Sequence, residues 1–506
     1  MGNLTDSKRV EHAGASGAGN PSMDSQRSLS YGAYDANGSV AAGGTLSRIS
    51  TTSAPEYKIY KRRFFGLLQL VLLNIVVSWD WIAFAPVSST SARYFDTSES
   101  SINWVSTAFL FAFCVTTPAT FLVLHKYGPR VAIIIAAALI LAGNWIKYGA
   151  TRAKNFAGVM VGQLVIGFAQ PFVLSSPTSY SNLWFSPQGR TTATAVASLA
   201  NPFGAALGQL ISPFWADQPH DIPIMILYIA IISSLACVPA FFIPAKPPTP
   251  PSAGSVPDHM DRTSLKHDLH ALSRSIEFYL IFVPYAVYVG FFNAFSSLIN
   301  QILEPYGFSE TDAGIAGAVL IVVGLVSAAI SSPIMDRYKF YLAYIKVAVP
   351  FIAISYLIIT WAPQTRSLAY VDVVCAVLGA ASFGLVPVAL EFLVEIHYPL
   401  GPELGSTLCW CGGQILGGIF IVVMDALKAS GDASPPANMK RALIFQAVLA
   451  VAVMPAAMCL GRFGRQLHVK QRRFEVDRNG LEHVISVDVD AGRQLLGGSH
   501  AGRADR

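Results

Sequence analysis

A chain of 506 residues that is 53% hydrophobic and only 13% charged does not have the make-up of a soluble globule, because soluble domains carry about 25% charged residues. It reads as an all-α membrane protein with lipid-facing helices. The formal net charge of +5 resides in loops and tails, and no basic stripe is interleaved with aromatics, so nucleic acid is not expected as a partner.

Residues 1–55 are rich in Gly, Ser and Ala and have no apolar period. Such a segment cannot bury enough surface to order and is expected to be a disordered tail. No apolar stretch near Met1 resembles a signal peptide. The first long apolar run is Phe64 to Pro86, about 20 residues, enough to cross a hydrocarbon core of ~30 Å. Asp80 sits in it between Trp79 and Trp81. A carboxylate at mid-bilayer costs roughly 2.5–3.5 kcal/mol and usually faces a protein interior or a water-filled path. The indole beside it offers a face that attracts cations. The plainer alternative is an Asp at a helix end next to an interfacial Trp.

Further apolar runs recur near 102–124, 131–149, 156–178, 192–214, 222–243, 276–303, 312–334, 340–361, 368–396, 404–427 and 441–463. With the first they predict twelve transmembrane helices in two six-helix halves, 56–243 and 276–464. The segment 244–275 between them begins Pro-rich (Pro244, Pro247, Pro248, Pro250, Pro251) and turns polar, as a linker would. Within it, His267 to Ser275 has the make-up of a short surface helix. Residues 465–506 form a polar C-terminal tail.

Lys and Arg flanking the spans divide unequally. Eighteen lie on the side of the tails and the linker, from Lys58 to Arg473, and seven on the other, from Arg93 to Arg441. Both termini are therefore expected in the cytosol, which requires an even number of spans. The halves also repeat. The seventh span starts 212 residues after the first, Asp336-Arg337-Tyr338-Lys339 follows His125-Lys126-Tyr127 by 211, and Gly413-x-x-x-Gly417 follows Gly204-x-x-x-Gly208 by 209. Small residues four apart let helices approach closely. Parallel six-helix repeats are the build of the major facilitator fold, with the substrate at mid-depth between the halves. Asp336-Arg337 fits that superfamily's loop signature after the second span of a half, whereas His125 replaces the acid in the first copy. Glu391 and Glu395, four apart on one helix face, are expected partners for Arg337 or Lys339 in a gating latch at the cytosolic ends. The bland reading of these bases is the positive-inside rule alone.

No P-loop, G-x-S-x-G, H-E-x-x-H or zinc-spaced Cys/His pattern occurs, so neither an enzyme nor a metal or other cofactor is expected. All six cysteines lie in apolar runs, which implies no disulfide framework, and Cys409 and Cys411 read as packing residues. Mid-span polar groups include Asn74, Asn144, Gln163, Gln170, Asn201, Gln209, Asn293, Asn300, Gln301 and Gln414. Lys147 and Lys346 fall near predicted span ends, where they are expected to snorkel, leaving Asp80 without a basic partner. An acid, indoles and amides with no buried cation suit a small organic cation or zwitterion.

Several stretches carry a resemblance. They are Tyr57-x-x-Tyr60-Lys61-Arg62-Arg63, Trp81-Ile82, Asn103-Trp104, Gly162-Gln163 with Ala169-Gln170-Pro171-Phe172, Trp184-Phe185, Ser296-Ser297-Leu298-Ile299-Asn300-Gln301, and Glu391-Phe392-x-Val394-Glu395-Ile396-x-Tyr398-Pro399. From about Tyr57 to Arg465 the chain resembles the feline leukaemia virus subgroup C receptor-related family of the major facilitator superfamily. The resemblance implies a carrier of choline or ethanolamine, with haem or a vitamin as alternatives within the family. It also implies a choline site made by a first-span Trp, a seventh-span Tyr, and Gln from the fourth and eleventh spans. Trp81, Gln170 and Gln414 match. The Tyr falls on Asn293, with Phe292 and Phe295 beside it, and a first-span Gln falls on Asp80.

The expectation is a facilitative carrier of a small organic cation working by alternating access. Trp81 would present its ring, Asp80 its charge, and Gln170, Asn293 and Gln414 their polar groups; Asp336, Arg337, Glu391 and Glu395 would gate. A non-transporting receptor or nutrient sensor is the alternative from another class. The partners expected are a small-molecule substrate and the bilayer, the protein is expected to be a monomer, and the plasma membrane is the expected site, ahead of an organelle membrane.

Overall fold

A computed structural model describes residues 58–249, 265–338, 340–397 and 402–461. The expected disordered N-tail, most of the polar linker and the C-tail lie outside them. The described residues are almost wholly helical. The first set is α1 (Arg63–Ile82), a short α2 (Ser88–Phe95), α3 (Glu99–Tyr127), α4 (Pro129–Arg152), α5 (Phe156–Trp184), α6 (Pro187–Trp215) and α7 (Ile222–Cys237). A linker helix α8 (Leu265–Ser273) precedes α9 (Ile276–Leu303), α10 (Glu310–Tyr338), α11 (Tyr341–Ile359), α12 (Leu368–His397), α13 (Pro402–Ala426) and α14 (Lys440–Cys459). In hydrocarbon every backbone polar group must be satisfied internally, which helices do. Starts are set by local chemistry: Ser98, Asn155 and Ser275 accept backbone N–H groups of Ser101, Gly158 and Phe278. We call the face where α1 begins the tail face and the opposite one the far face.

Eleven helices among the described residues are long and apolar enough to cross a membrane. The expected span over 192–214 is α6, which is 29 residues long but poorer in apolar side chains. Its neighbours explain that composition. A Cβ at Gly204 would lie 2.1 Å from the Ile75 carbonyl oxygen of α1, and the Cβ of Gly314 on α10 would lie 2.3 Å from the Gln209 carbonyl oxygen of α6. A helix wedged between two others needs small residues, not greasy ones. Its open face keeps an apolar stripe, Val196, Phe203, Leu210 and Phe214.

The same crossing recurs in the second half. Gly413 sits against Val289 of α9, and Gly417 against Asn293 of α9, as Gly204 and Gly208 of α6 sit against α1. The fifth helix of each six-helix set therefore rides on the first through a glycine pair. Between the sets, α6 packs on α10 and α3 packs on α13. These two seams frame the centre of the molecule.

Candidate functional site at mid-depth between the halves

Trp81 lies one residue before the end of α1 and is buried. Its ring stacks on Phe109 of α3 at 6.4 Å between centroids and meets Phe292 of α9 at 6.5 Å, tilted by 53°. Phe292 in turn has Phe383 of α12 edge-on at 5.0 Å. Phe109 is fully buried, whereas Phe292 and Phe383 are only half-buried. The first-span Trp thus has an aromatic neighbour from the opposite half. The seventh-span position expected to carry an aromatic ring is Asn293, and the ring is supplied by the preceding residue.

Asn293 donates to Gln414 Oε1 at 2.9 Å and lies at 3.5 Å from the Gly413 carbonyl. The two amides are brought together where Gly417 lets α13 touch the Asn293 side chain. Gln170 is buried on α5, directly before Pro171. Proline has no N–H, so the carbonyl of Gly167, four residues before Pro171, lacks its usual helical donor. Gln170 Oε1 and Trp81 Nε1 are both buried and have no hydrogen-bond partner among the described residues. A buried acceptor or donor left unpaired costs ~1–3 kcal/mol, and a polar substrate would relieve it.

Asp80 corrects an expectation. It is fully buried, and Lys147 Nζ of α4, also fully buried, lies 2.7 Å from its Oδ1. Asn144 donates to Asp80 Oδ2 at 2.6 Å, and Ser233 of α7 reaches the same oxygen at 3.4 Å. Gln163 of α5 lies 3.4 Å from Lys147 Nζ through its Oε1 and donates to the Asp80 carbonyl at 3.0 Å. Lys147 does not snorkel, and Asp80 does have a basic partner. Two causes are visible. Helix α4 runs to Arg152 rather than 149, which draws Lys147 inward. Gly162 of α5 also lets α4 pass so close that a Cβ there would lie 2.7 Å from the Lys147 backbone nitrogen. A buried pair is tolerated only when further hydrogen bonds satisfy both charges, and Asn144, Gln163 and Ser233 supply them. Among the described residues, every partner of Asp80 belongs to its own half.

The residues expected to gate lie toward the tail-face ends of α10 and α12. Glu395 is buried and Glu391 half-buried near the tail-face end of α12. Arg337 is exposed, its guanidinium over the Tyr338 ring at 5.8 Å. The side chain of Asp336 lies outside the described residues, as does Lys339. Among the cysteines, Cys409 is buried, and the Cys114 thiol lies 3.5 Å from the Cys411 carbonyl across the α3–α13 seam; all six are free.

A second bonding region was not anticipated. On the far face, Glu310 in the first turn of α10 accepts from Ser89 Oγ at 2.6 Å, Thr90 N at 3.0 Å and Thr90 Oγ1 at 2.8 Å, all at the start of α2. Asn300 donates to Ser88 Oγ at 3.1 Å. Asn103 and Gln301 exchange bonds at 3.3 and 2.7 Å, and Asn103 also donates to Asp425 at 2.9 Å. Lys428 pairs with Glu99. Each of these contacts joins the two halves. Beside them opens a cleft of about 510 Å³ lined in part by Arg93, Asp96, Glu99 and Glu304. Asn300 and Gln301 were legible as polar groups in a span, but Glu310 and Glu99 look in sequence like ordinary acids in a helix's first turn.

Residues 70–401 match the family model of the Major Facilitator Superfamily. The chain is 31% identical to Solute carrier family 49 member A3 of Danio rerio, over 74% of this chain and 80% of that protein. It is 30% identical to Choline/ethanolamine transporter FLVCR1 of Mus musculus, over 76% of this chain and 73% of that protein. Among solved structures, a bacterial homologue of the lysosomal transporter Spinster superposes with a TM-score of 0.65 at 13% identity, covering 80% of this chain and 98% of that one. A D-xylose–proton symporter does so with a TM-score of 0.61 at 15% identity, covering 81% and 99%. These two share the fold. The chain belongs to the Major Facilitator Superfamily, in its feline leukaemia virus subgroup C receptor-related branch, and is a multi-pass membrane transporter.

Proposed function

We propose that the protein carries a small organic cation of the choline or ethanolamine kind, by alternating exposure of a site formed by Trp81, Phe292, Gln170, Asn293 and Gln414. The observation that carries this is Trp81 meeting Phe292 across the two halves, with the amide of Asn293, next along α9, bonded to that of Gln414, and the neighbouring Asp80 carboxylate paired with Lys147. A quaternary or primary ammonium is held by ring faces, and its hydroxyl suits the unpaired Gln170 Oε1. Relatives in mouse and human, among others, carry the words choline/ethanolamine transporter in their names, which favours this substrate over haem or a vitamin. The acidic cleft on the far face would concentrate cations electrostatically.

In this reading the far-face contacts form one gate. The tail-face ends, with Glu391, Glu395, Arg337 and Asp336, form the other. The tail face is cytosolic, in keeping with the basic flanks, and the plasma membrane is the assigned site, with the protein acting as a monomer. Counterflow of labelled choline and ethanolamine in proteoliposomes tests transport, and a sensor would bind without exchange. A desolvated cation–π contact is worth about 2 kcal/mol, roughly 30-fold in affinity. Trp81→Ala should weaken choline by that factor and Trp81→Phe by less. An equal loss for a neutral isostere, 3,3-dimethylbutanol, would show that the ring acts by shape alone.

A further inference from the structure

Asp80 and Lys147 are fully buried, yet neither takes part in the site proposed above. Their network joins four helices of one half: α1 through Asp80, α4 through Lys147 and Asn144, α5 through Gln163, and α7 through Ser233. It lies at the last turn of α1. Gln163 ties down the backbone there, donating to the Asp80 carbonyl at 3.0 Å and lying 3.5 Å from that of Trp81. Adjacent side chains of a helix point about 100° apart. With Asp80 pinned toward α4 and α7, Trp81 is turned toward α3 and the opposite half, where its ring meets Phe109 and Phe292. Trp79, on the other flank of Asp80, is held by stacking on Trp215 of α6 at 5.6 Å.

We propose that the Asp80–Lys147 pair is a positioning device for Trp81. It sets the rotation of the last turn of α1, and so aims the indole face at the substrate. Lys147 at the same time neutralises the carboxylate, so that Asp80 does not itself hold the ammonium group. Asp80 and Lys147 are positioning residues that act through Trp81. The proposal rests on the reading that Trp81 faces the substrate. The attraction for a cation then comes from rings and amide oxygens alone.

Removing one charge strands the other in a dry interior and should twist or fray the last turn of α1. Removing both, with shapes kept, should leave the turn in place. The test uses full-length protein in proteoliposomes, as wild type, Asp80→Asn, Lys147→Met and the double variant. Choline counterflow gives KM and kcat. Incorporated 5-fluorotryptophan gives a ¹⁹F resonance for Trp81, assigned by its loss in Trp81→Phe. Each single variant should raise the choline KM at least tenfold with a smaller change in kcat, and should move the Trp81 line. The double variant should return KM to within threefold of wild type and restore the line. If Lys147→Met keeps the wild-type KM while the double variant is as weak as Asp80→Asn, the carboxylate is the substrate's own partner and the proposal is overturned. An unmoved Trp81 line in both single variants overturns it too. Where a single variant does not fold, the double variant decides: wild-type KM and line support positioning, and a change in either refutes it. If wild-type protein carries no choline, the substrate reading fails, while the resonance still tests positioning independently.

Discussion

Glu310→Gln should open the far face. In the observed state the Glu310 carboxylate accepts three bonds of 2.6 to 3.0 Å from Ser89 and Thr90. Its charge also sits at the N-terminus of α2, where the helix dipole favours an anion by ~0.3–1 kcal/mol. Bonds to a charged acceptor are worth about 1.5–3 kcal/mol, against 0.5–1.5 for neutral ones. Glutamine keeps one acceptor oxygen and loses the charge. Counting about 1 kcal/mol for each of two weakened bonds plus the dipole term gives roughly 2–3 kcal/mol. In the far-open state the carboxylate is hydrated, so this difference acts directly on the equilibrium between states. It corresponds to a rise of about 30- to 150-fold in the far-open population. Ser297 is buried on α9, in the stretch that also carries Asn300 and Gln301. In a Ser297→Cys background, labelling by an impermeant thiol reagent added from the far face reads that population, after subtraction of the rate without the introduced cysteine. Glu310→Gln should speed labelling by one to two orders of magnitude. A change of less than threefold would mean that the Glu310 bonds do not hold the gate shut, and that Asn103, Gln301 and Asp425 carry it.

Two further outcomes follow from packing and charge. A Cβ at Gly379 of α12 would lie 1.9 Å from the Leu320 carbonyl oxygen of α10. Overpacking of that kind costs ~1–3 kcal/mol, so Gly379→Ala should lower the thermal midpoint in detergent, whereas Gly149→Ala, with nothing within 4 Å, should not. Epitope tags at both termini should resist protease added to intact cells, and cleavage of either would reverse the assignment of the tail face to the cytosol.

The architecture was open to reading because its determinants are local or periodic. Span length and the Gly204/Gly208 and Gly413/Gly417 pairs each follow from physics that acts within about 20 residues or repeats at one offset. Helix α6 was readable as a span from the apolar run over 192–214, though it is poorer in apolar side chains than its neighbours. Its small residues Gly204 and Gly208 answer to α1, and its Gln209 backbone meets Gly314 of α10, which sequence does not bring near. The site was half legible. Trp81, Gln170 and Gln414 stood out as indole and amides inside apolar runs, but Phe292 gained meaning only when α9 was laid opposite α1. The far-face gate was illegible, because Glu310 and Glu99 pair with residues 220 and 329 positions away in sequence.

Asp80 shows why such a reading fails at its most charged point. The cost of a carboxylate in a membrane helix correctly demanded a protein interior or a water-filled path. The choice between them depended on a lysine 67 residues later, placed near a span end by an error of three residues in that end. Once Lys147 is inside, the two charges cancel within one half, and Asn144, Gln163 and Ser233 complete their hydrogen bonding. A carboxylate so fully engaged has little left to offer a substrate without first breaking a 2.7 Å ion pair. The case for an organic cation therefore cannot lean on Asp80. It rests on the ring face that Asp80 holds in place, and a substrate held by ring faces is selected for a diffuse, poorly hydrated charge rather than for a compact one.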